Sequence, residues 1–181
     1  MGTDGTEDDD DEVDVARRAL LANCGAKAEM AIVAERPSDT LLCAFRAPKM
    51  PAEEAIRVAT QGGSANDAWQ LLDAEAQRAM DAGVYMSVGV FLERRLAAMP
   101  GGSDEDDVKL IKKAERKLEA ELADEARTPD PSVVAEAQAS IAAYRVRVHE
   151  KQALVGALNH CHYRGRELST PSSPTAKDPE L

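Results

Sequence analysis

Apolar residues near the C-terminus recur at alternating spacings of three and four: Val134, Ala137, Ile141, Tyr144 and Val148, then Val155 and Leu158, with Lys151 and His162 completing the register. That spacing holds one stripe along a rod and predicts a single helix from Asp130 to about Leu168. A stripe this narrow suits burial against one or two other helices rather than inside a large core. Asp130 is the expected N-cap, and Pro131 occupies the first helical position, where its missing N–H is not needed.

The segment before it is far more charged. Ser103 should cap a helix whose first turn, Asp104-Glu105-Asp106-Asp107, sets four negative charges against the positive end of the helix dipole. Lys109, Lys112, Lys113, Arg116 and Lys117 follow, and Ile111, Ala114, Leu118 and Leu122 give a thin apolar face. Residues 103–168 therefore read as a helical hairpin resembling an antiparallel coiled coil. The longer arm outruns the shorter by on the order of 20 Å at 1.5 Å per residue. If the two stripes meet only each other, that excess must find the N-terminal half, a second copy or another protein.

Residues 13–99 carry shorter helical patterns. Val15, Ala19 and Ala22 share a face of a helix over 13–23 that Cys24-Gly25 can stop, and 26–36 reads as a second helix ended by Pro37. Ser38 is a plausible cap for Leu41-Leu42-Cys43-Ala44-Phe45, too short to separate helix from strand by periodicity; helix is favoured because no other strand candidate exists to pair with it. Ala55, Ile56 and Ala59 mark a helix over 52–60 that Gly62-Gly63 ends. Ser64-Ala65-Asn66-Asp67 has the form of a capping box before Trp69, Leu72, Ala76 and Met80, and Gly83 should close that helix. Tyr85, Val88, Leu92, Leu96 and Met99 form the next stripe, stopped by Pro100-Gly101-Gly102. The fold class expected is all-α: a compact, solenoid-like array of about six short antiparallel helices over 13–99, then the long-helix hairpin over 103–168. No residue pattern repeats at a fixed period.

Composition sharpens this. The chain has 32 Ala against 2 Phe, 3 Tyr and 1 Trp, so helices approach closely but bury little area each. Of the net charge of −11, residues 1–14 carry eight acids and no base, leaving a nearly balanced body. Such a block repels itself, and residues 1–12 are expected to be a disordered acidic tail; the Ser/Thr/Pro-rich stretch 169–181 is expected to be a second tail. Cys24, Cys43 and Cys161 form an odd, widely spaced set without a CxxC pair, which argues against a disulfide framework and for a reducing compartment, the cytoplasm by default. No secretory signal pattern and no run of the roughly 18 apolar residues that span a bilayer is present, so a membrane partner is not expected. The match of Gly2 to the N-myristoylation pattern is weak, because the acidic run behind it would be repelled by an anionic lipid surface.

Candidate chemistry is sparse. His160-Cys161-His162 and His149 have metal-capable atoms, but neighbours on a helix point about 100° apart and cannot converge on one ion, so no metal or cofactor is expected. Arg145, Arg147, Lys151, Arg164 and Arg166 against Glu150 make 144–166 basic, yet pairing with the acidic turn at 104–107 or with the acidic N-terminal tail is favoured over nucleic acid. Thr170 and Ser173, each followed by proline, are candidate phosphorylation sites. The function expected is therefore non-enzymatic: an adaptor or assembly subunit binding a protein partner, or itself, through Val134, Ile141, Tyr144, Val148, Val155 and Leu158. Nucleic-acid association through the Arg145–Arg166 surface, and an enzyme without a recognisable motif, are the alternatives.

Overall fold

A computed structural model describes residues 6–25, 32, 33, 35–123 and 128–170. Its described residues form seven helices and one minimal β-hairpin: α1 (Thr6–Asn23), β1 (Ile32–Val33), β2 (Arg36–Pro37), α2 (Asp39–Arg46), α3 (Ala52–Thr60), α4 (Ala65–Gln70), α5 (Ala74–Ala97), α6 (Asp104–Leu122) and α7 (Pro131–Ser169), with a 3-10 turn at Ala47–Lys49 after α2. The all-α expectation holds, and none of these helices is long and apolar enough to cross a membrane.

Local cap chemistry explains most helix starts. Ser64 and Asp67 form the expected capping box, and Ser103 forms the same box with Asp106. Asp130 accepts from the Ser132 amide at the start of α7, with Pro131 next. Ser38 accepts from the Leu41 amide, and the 39–46 segment is helical as favoured.

Other expectations are corrected. The acidic run from Thr6 onward lies inside α1 rather than in a tail ending at residue 12; carboxylates are favoured in the first turns of a helix. Residues 1–5, with Gly2, and 171–181, with Ser173, lie outside the described residues. Within the stretch expected as a helix over 26–36, Ile32–Val33 instead pairs antiparallel with Arg36–Pro37, Ile32 opposite Pro37 and Val33 opposite Arg36. Glu35 turns this hairpin at φ 60°, and its Cβ lies where a Cβ on Gly156 of α7 would stand, 2.6 Å away. Only glycine lets the hairpin lie this close to α7. Gly83 closes nothing. The break falls at 71–73, where Asp73 caps the Ala76 amide, and α5 runs unbroken through Gly83 and Gly89.

Two apolar clusters form the core. The first gathers Ala16 and Leu20 of α1, Cys43, Ala47, Met50, Ala55 and Val58, Ala65 and Ala68. The second gathers Leu41 and Leu42 of α2, Val84, Val88 and Leu92 of α5, and Leu154, Ala157 and Cys161 of α7. Met80 packs against both and joins them. A disulfide, Cys24–Cys43, ties the end of α1 to α2 with Cα atoms 5.9 Å apart. This corrects the expectation of no disulfide and removes the cysteine argument for a reducing compartment: a separation of 19 residues is closed by the intervening hairpin.

Candidate interaction surface

The long helix sets the geometry. α6 runs antiparallel along the first half of α7, shown by Glu121 accepting from the Asp130 amide at 2.8 Å, Lys117–Glu136 at 3.3 Å and Arg145–Glu115 at 2.9 Å. α5 runs antiparallel along the second half, where Arg78 donates to the carbonyls of Leu168 at 3.0 Å and Glu167 at 3.2 Å and also to that of Thr170. A guanidinium at that end meets the negative pole of the α7 dipole. One rod, about 58 Å long at 1.5 Å per residue, therefore borders two successive helices.

At the joint between α5 and α6, Asp107 is fully buried. Lys151 is 4% exposed, and its Nζ lies 2.5 Å from Asp107 Oδ2 and 2.6 Å from the Gly102 carbonyl, while Arg147 Nη2 lies 3.0 Å from Asp107 Oδ1. Gly101 makes room here: at φ 91° it adopts a conformation side chains avoid, and a Cβ would stand 3.1 Å from Asp107. The favoured pairing of the 144–166 basic stretch with the acidic turn is thus present. Lys151, expected in an apolar register, is the cation that neutralises a buried carboxylate.

The six residues expected to bind a partner divide along α7. Ile141 is buried, and Val134, Tyr144, Val148 and Leu158 are half-buried, so most of the stripe is covered within the chain. Val155 is 39% exposed. Beyond Lys151 the buried positions are Leu154, Ala157, Cys161 and Gly165 rather than Val155 and His162. The excess length of α7 has found α5, and the covered side shifts because α5 approaches from a different direction than α6.

An exposed apolar surface lies on α5, beginning at the edge where Met86 borders Gly165 of α7. At 100° per residue, Ala79, Ala82, Met86, Val90 and Ala97 share one outward arc, with Glu75 and Glu93 toward its ends. Met86 is 63% and Val90 48% exposed, Ala79 and Ala97 are exposed, and no charge interrupts this arc between Ala79 and Glu93. Beside it, Met86 forms one wall of a groove of about 570 Å³, and Cys161, His162, Gly165, Arg166, Ser169 and Thr170 of α7 form the other. His162 Nε2 lies 3.4 Å from Glu93. Burial pushes the Cys161 thiol up to about 11, so it is not poised as a nucleophile. His160 is turned away toward Tyr85, 5.9 Å between ring centroids; burial, then Arg36 and Arg164, lowers its pKa. Thr170 caps α7, its hydroxyl donating to the Arg166 carbonyl at 3.0 Å. Among the described residues no three His, Cys, Asp or Glu side chains gather as metal ligands.

The chain matches no protein-family model, no curated protein and no solved structure.

The outer arc of α5 was not singled out by sequence reasoning. Its signal is present as the 7-4-7 spacing of Ala79, Met86, Val90 and Ala97, but the inward stripe of Tyr85, Val88, Leu92 and Leu96 on the same helix is stronger.

Proposed function

We propose that this protein is an interaction subunit, a helical scaffold that contributes the outer arc of α5 and the adjoining flank of α7 to an assembly. The observation that supports it is the exposure of Met86 and Val90 on an arc without charge between Ala79 and Glu93, beside the groove that Met86 shares with α7. Contiguous apolar surface rimmed by polar groups marks binding sites more often than it marks idle surface. Relative to the sequence expectation, the surface moves from the inward stripe of α7, of which Val155 alone keeps substantial exposure, to the helix that covers it. The test is capture from an extract of the source cells by the wild-type chain and by Met86→Asp/Val90→Asp: the reading expects a protein bound by the first and lost by the second, and equal capture by both would retire it.

A nucleic-acid reading is favoured by one observation. Lys109, Lys112, Lys113 and Arg116 form an exposed row on the side of α6 away from α7, and among the described residues Lys112, Lys113 and Arg116 have no acidic partner. In this reading the row replaces the Arg145–Arg166 surface, where Arg145, Arg147, Lys151 and Arg164 are already paired with acids. Binding to a random DNA duplex that falls steeply with salt and vanishes in Lys112→Glu/Arg116→Glu would support it.

A further inference from the structure

We infer that the occupant of the outer α5 arc is a second copy of this chain, packed antiparallel about a two-fold axis at the level of Val88. The inference rests on the interaction reading above and names the partner. The arc is palindromic. Antiparallel helices in register about residue 88 bring together positions whose numbers sum to 176. Met86 of one copy then meets Val90 of the other, Ala79 meets Ala97, and Glu93 meets Gly83, where no side chain obstructs its stem. Met86, Val90, Ala79 and Ala97, the exposed apolar residues of the arc, each find an apolar counterpart, Ala82 at its edge falls level with Arg94, and no two like charges are opposed.

A self-complementary patch is what an isologous dimer requires, and two-fold dimers are the commonest closed assembly. Alanines at both ends of the arc let the two backbones approach closely, while Met86, unbranched and adaptable, fills the centre. Among the described residues α5 packs on α2 and α7, with α7 reaching the edge of the arc where Met86 lies near Gly165 and Glu93 near His162, and Val90 stays 48% exposed. The arc spans about 27 Å from Ala79 to Ala97 at 1.5 Å per residue. A single helix-on-helix contact of that length is small, so the dimer should be concentration-dependent.

The test is the mass of the whole chain by light scattering from about 1 µM to about 1 mM, the range that brackets weak association. The wild type is expected to pass from one to two copies across that range, and Met86→Asp/Val90→Asp to stay single with an unchanged helical circular dichroism spectrum. A second measurement fixes the register: a mixture of Ala79→Cys and Ala97→Cys chains should cross-link between unlike chains on mild oxidation, and neither variant should cross-link alone. A wild type that remains single throughout, or a dimer that survives Met86→Asp/Val90→Asp, overturns the inference. If the wild type is single while the double variant loses a captured protein from the extract, only the second copy is refuted; if neither mass nor capture changes, the interaction reading falls with it.

Discussion

Lys151 holds Asp107 at 2.5 Å in the interior, and the two residues belong to α7 and α6, the two arms of the hairpin. Two opposite charges taken out of water offset their desolvation only when every remaining donor and acceptor is used. Here the Gly102 carbonyl accepts a second hydrogen bond from Lys151 and Arg147 faces the far oxygen of Asp107 at ion-pair distance, but Asp107 Oδ1 and Arg147 Nε have no hydrogen-bond partner, so the compensation is incomplete. The cluster marks where along α7 the α5–α6 joint sits, because a shift that carried Val155 to the place of Lys151 would set an apolar side chain against the buried carboxylate.

Removing the carboxylate should therefore be severe. Asp107→Ala is expected to lower the unfolding free energy by about 3–5 kcal/mol, the usual result of leaving a buried cation unpaired. Asp107→Leu with Lys151→Met should recover a large part of that loss, since an apolar pair needs no partner. Urea unfolding of the singles and the double gives the coupling, and additive losses would show that the two side chains act independently.

The Cys24–Cys43 bond makes a separate prediction. It closes a loop spanning 19 positions, for which lost chain entropy in the unfolded state corresponds to about 3 kcal/mol. Reductant should lower the midpoint of thermal unfolding of the wild type and leave Cys24→Ser/Cys43→Ser unaffected. Equal midpoints with and without reductant would show that Arg17, bound to the Met50 carbonyl at 2.8 Å, and the apolar contacts of Ala16 and Leu20 suffice to hold α1.

The free thiol should be silent. With burial raising Cys161 to about 11, an aromatic disulfide reagent at pH 8 is expected to find no reactive thiol in the folded chain and one after unfolding without reductant. Rapid labelling of the folded protein would mean that the groove wall opens at Cys161.

Acid should loosen two helix starts. Lys109, then the Ser103 hydroxyl and amide, lower the pKa of Asp106, and the Ser64 amide, then its hydroxyl, lower that of Asp67. A carboxyl lowered in the folded state contributes stability that is complete above its unfolded value of 3.8 and is lost as pH falls through the folded value. The amides of Ser64 and Ser103 should thus keep their shifts between roughly pH 5 and 8 and move only below the ordinary aspartate range. Asp106→Asn should abolish that movement at Ser103 alone. Titration followed by amide resonances decides it, and a transition centred above 3.8 would reverse the sign.

What the sequence disclosed is chiefly local. The caps at Ser64, Ser103 and Asp130 and the reach of α7 are written within three or four residues of each helix start, and they stand as expected. What it concealed depends on residues far apart in the chain. Asp107 reads as one acid among four until Lys151, 44 positions on, is brought to it. The stripe of α7 was traced as one line past Lys151, whereas the chain exchanges α6 for α5 at that point and the buried line steps from Val155 to Leu154. Gly83 looked like a stop because nothing nearby in sequence shows that Asp73 opens a helix able to carry two glycines through its middle.

Pro100, Gly101 and Gly102 would ordinarily make a pivot. With the same beam bolted across both sides of it, that pivot cannot swing unless α7 itself snaps or peels away. A force applied near Glu136 thus reaches Arg78 through rigid material, and the molecule behaves as a braced strut rather than a jointed arm.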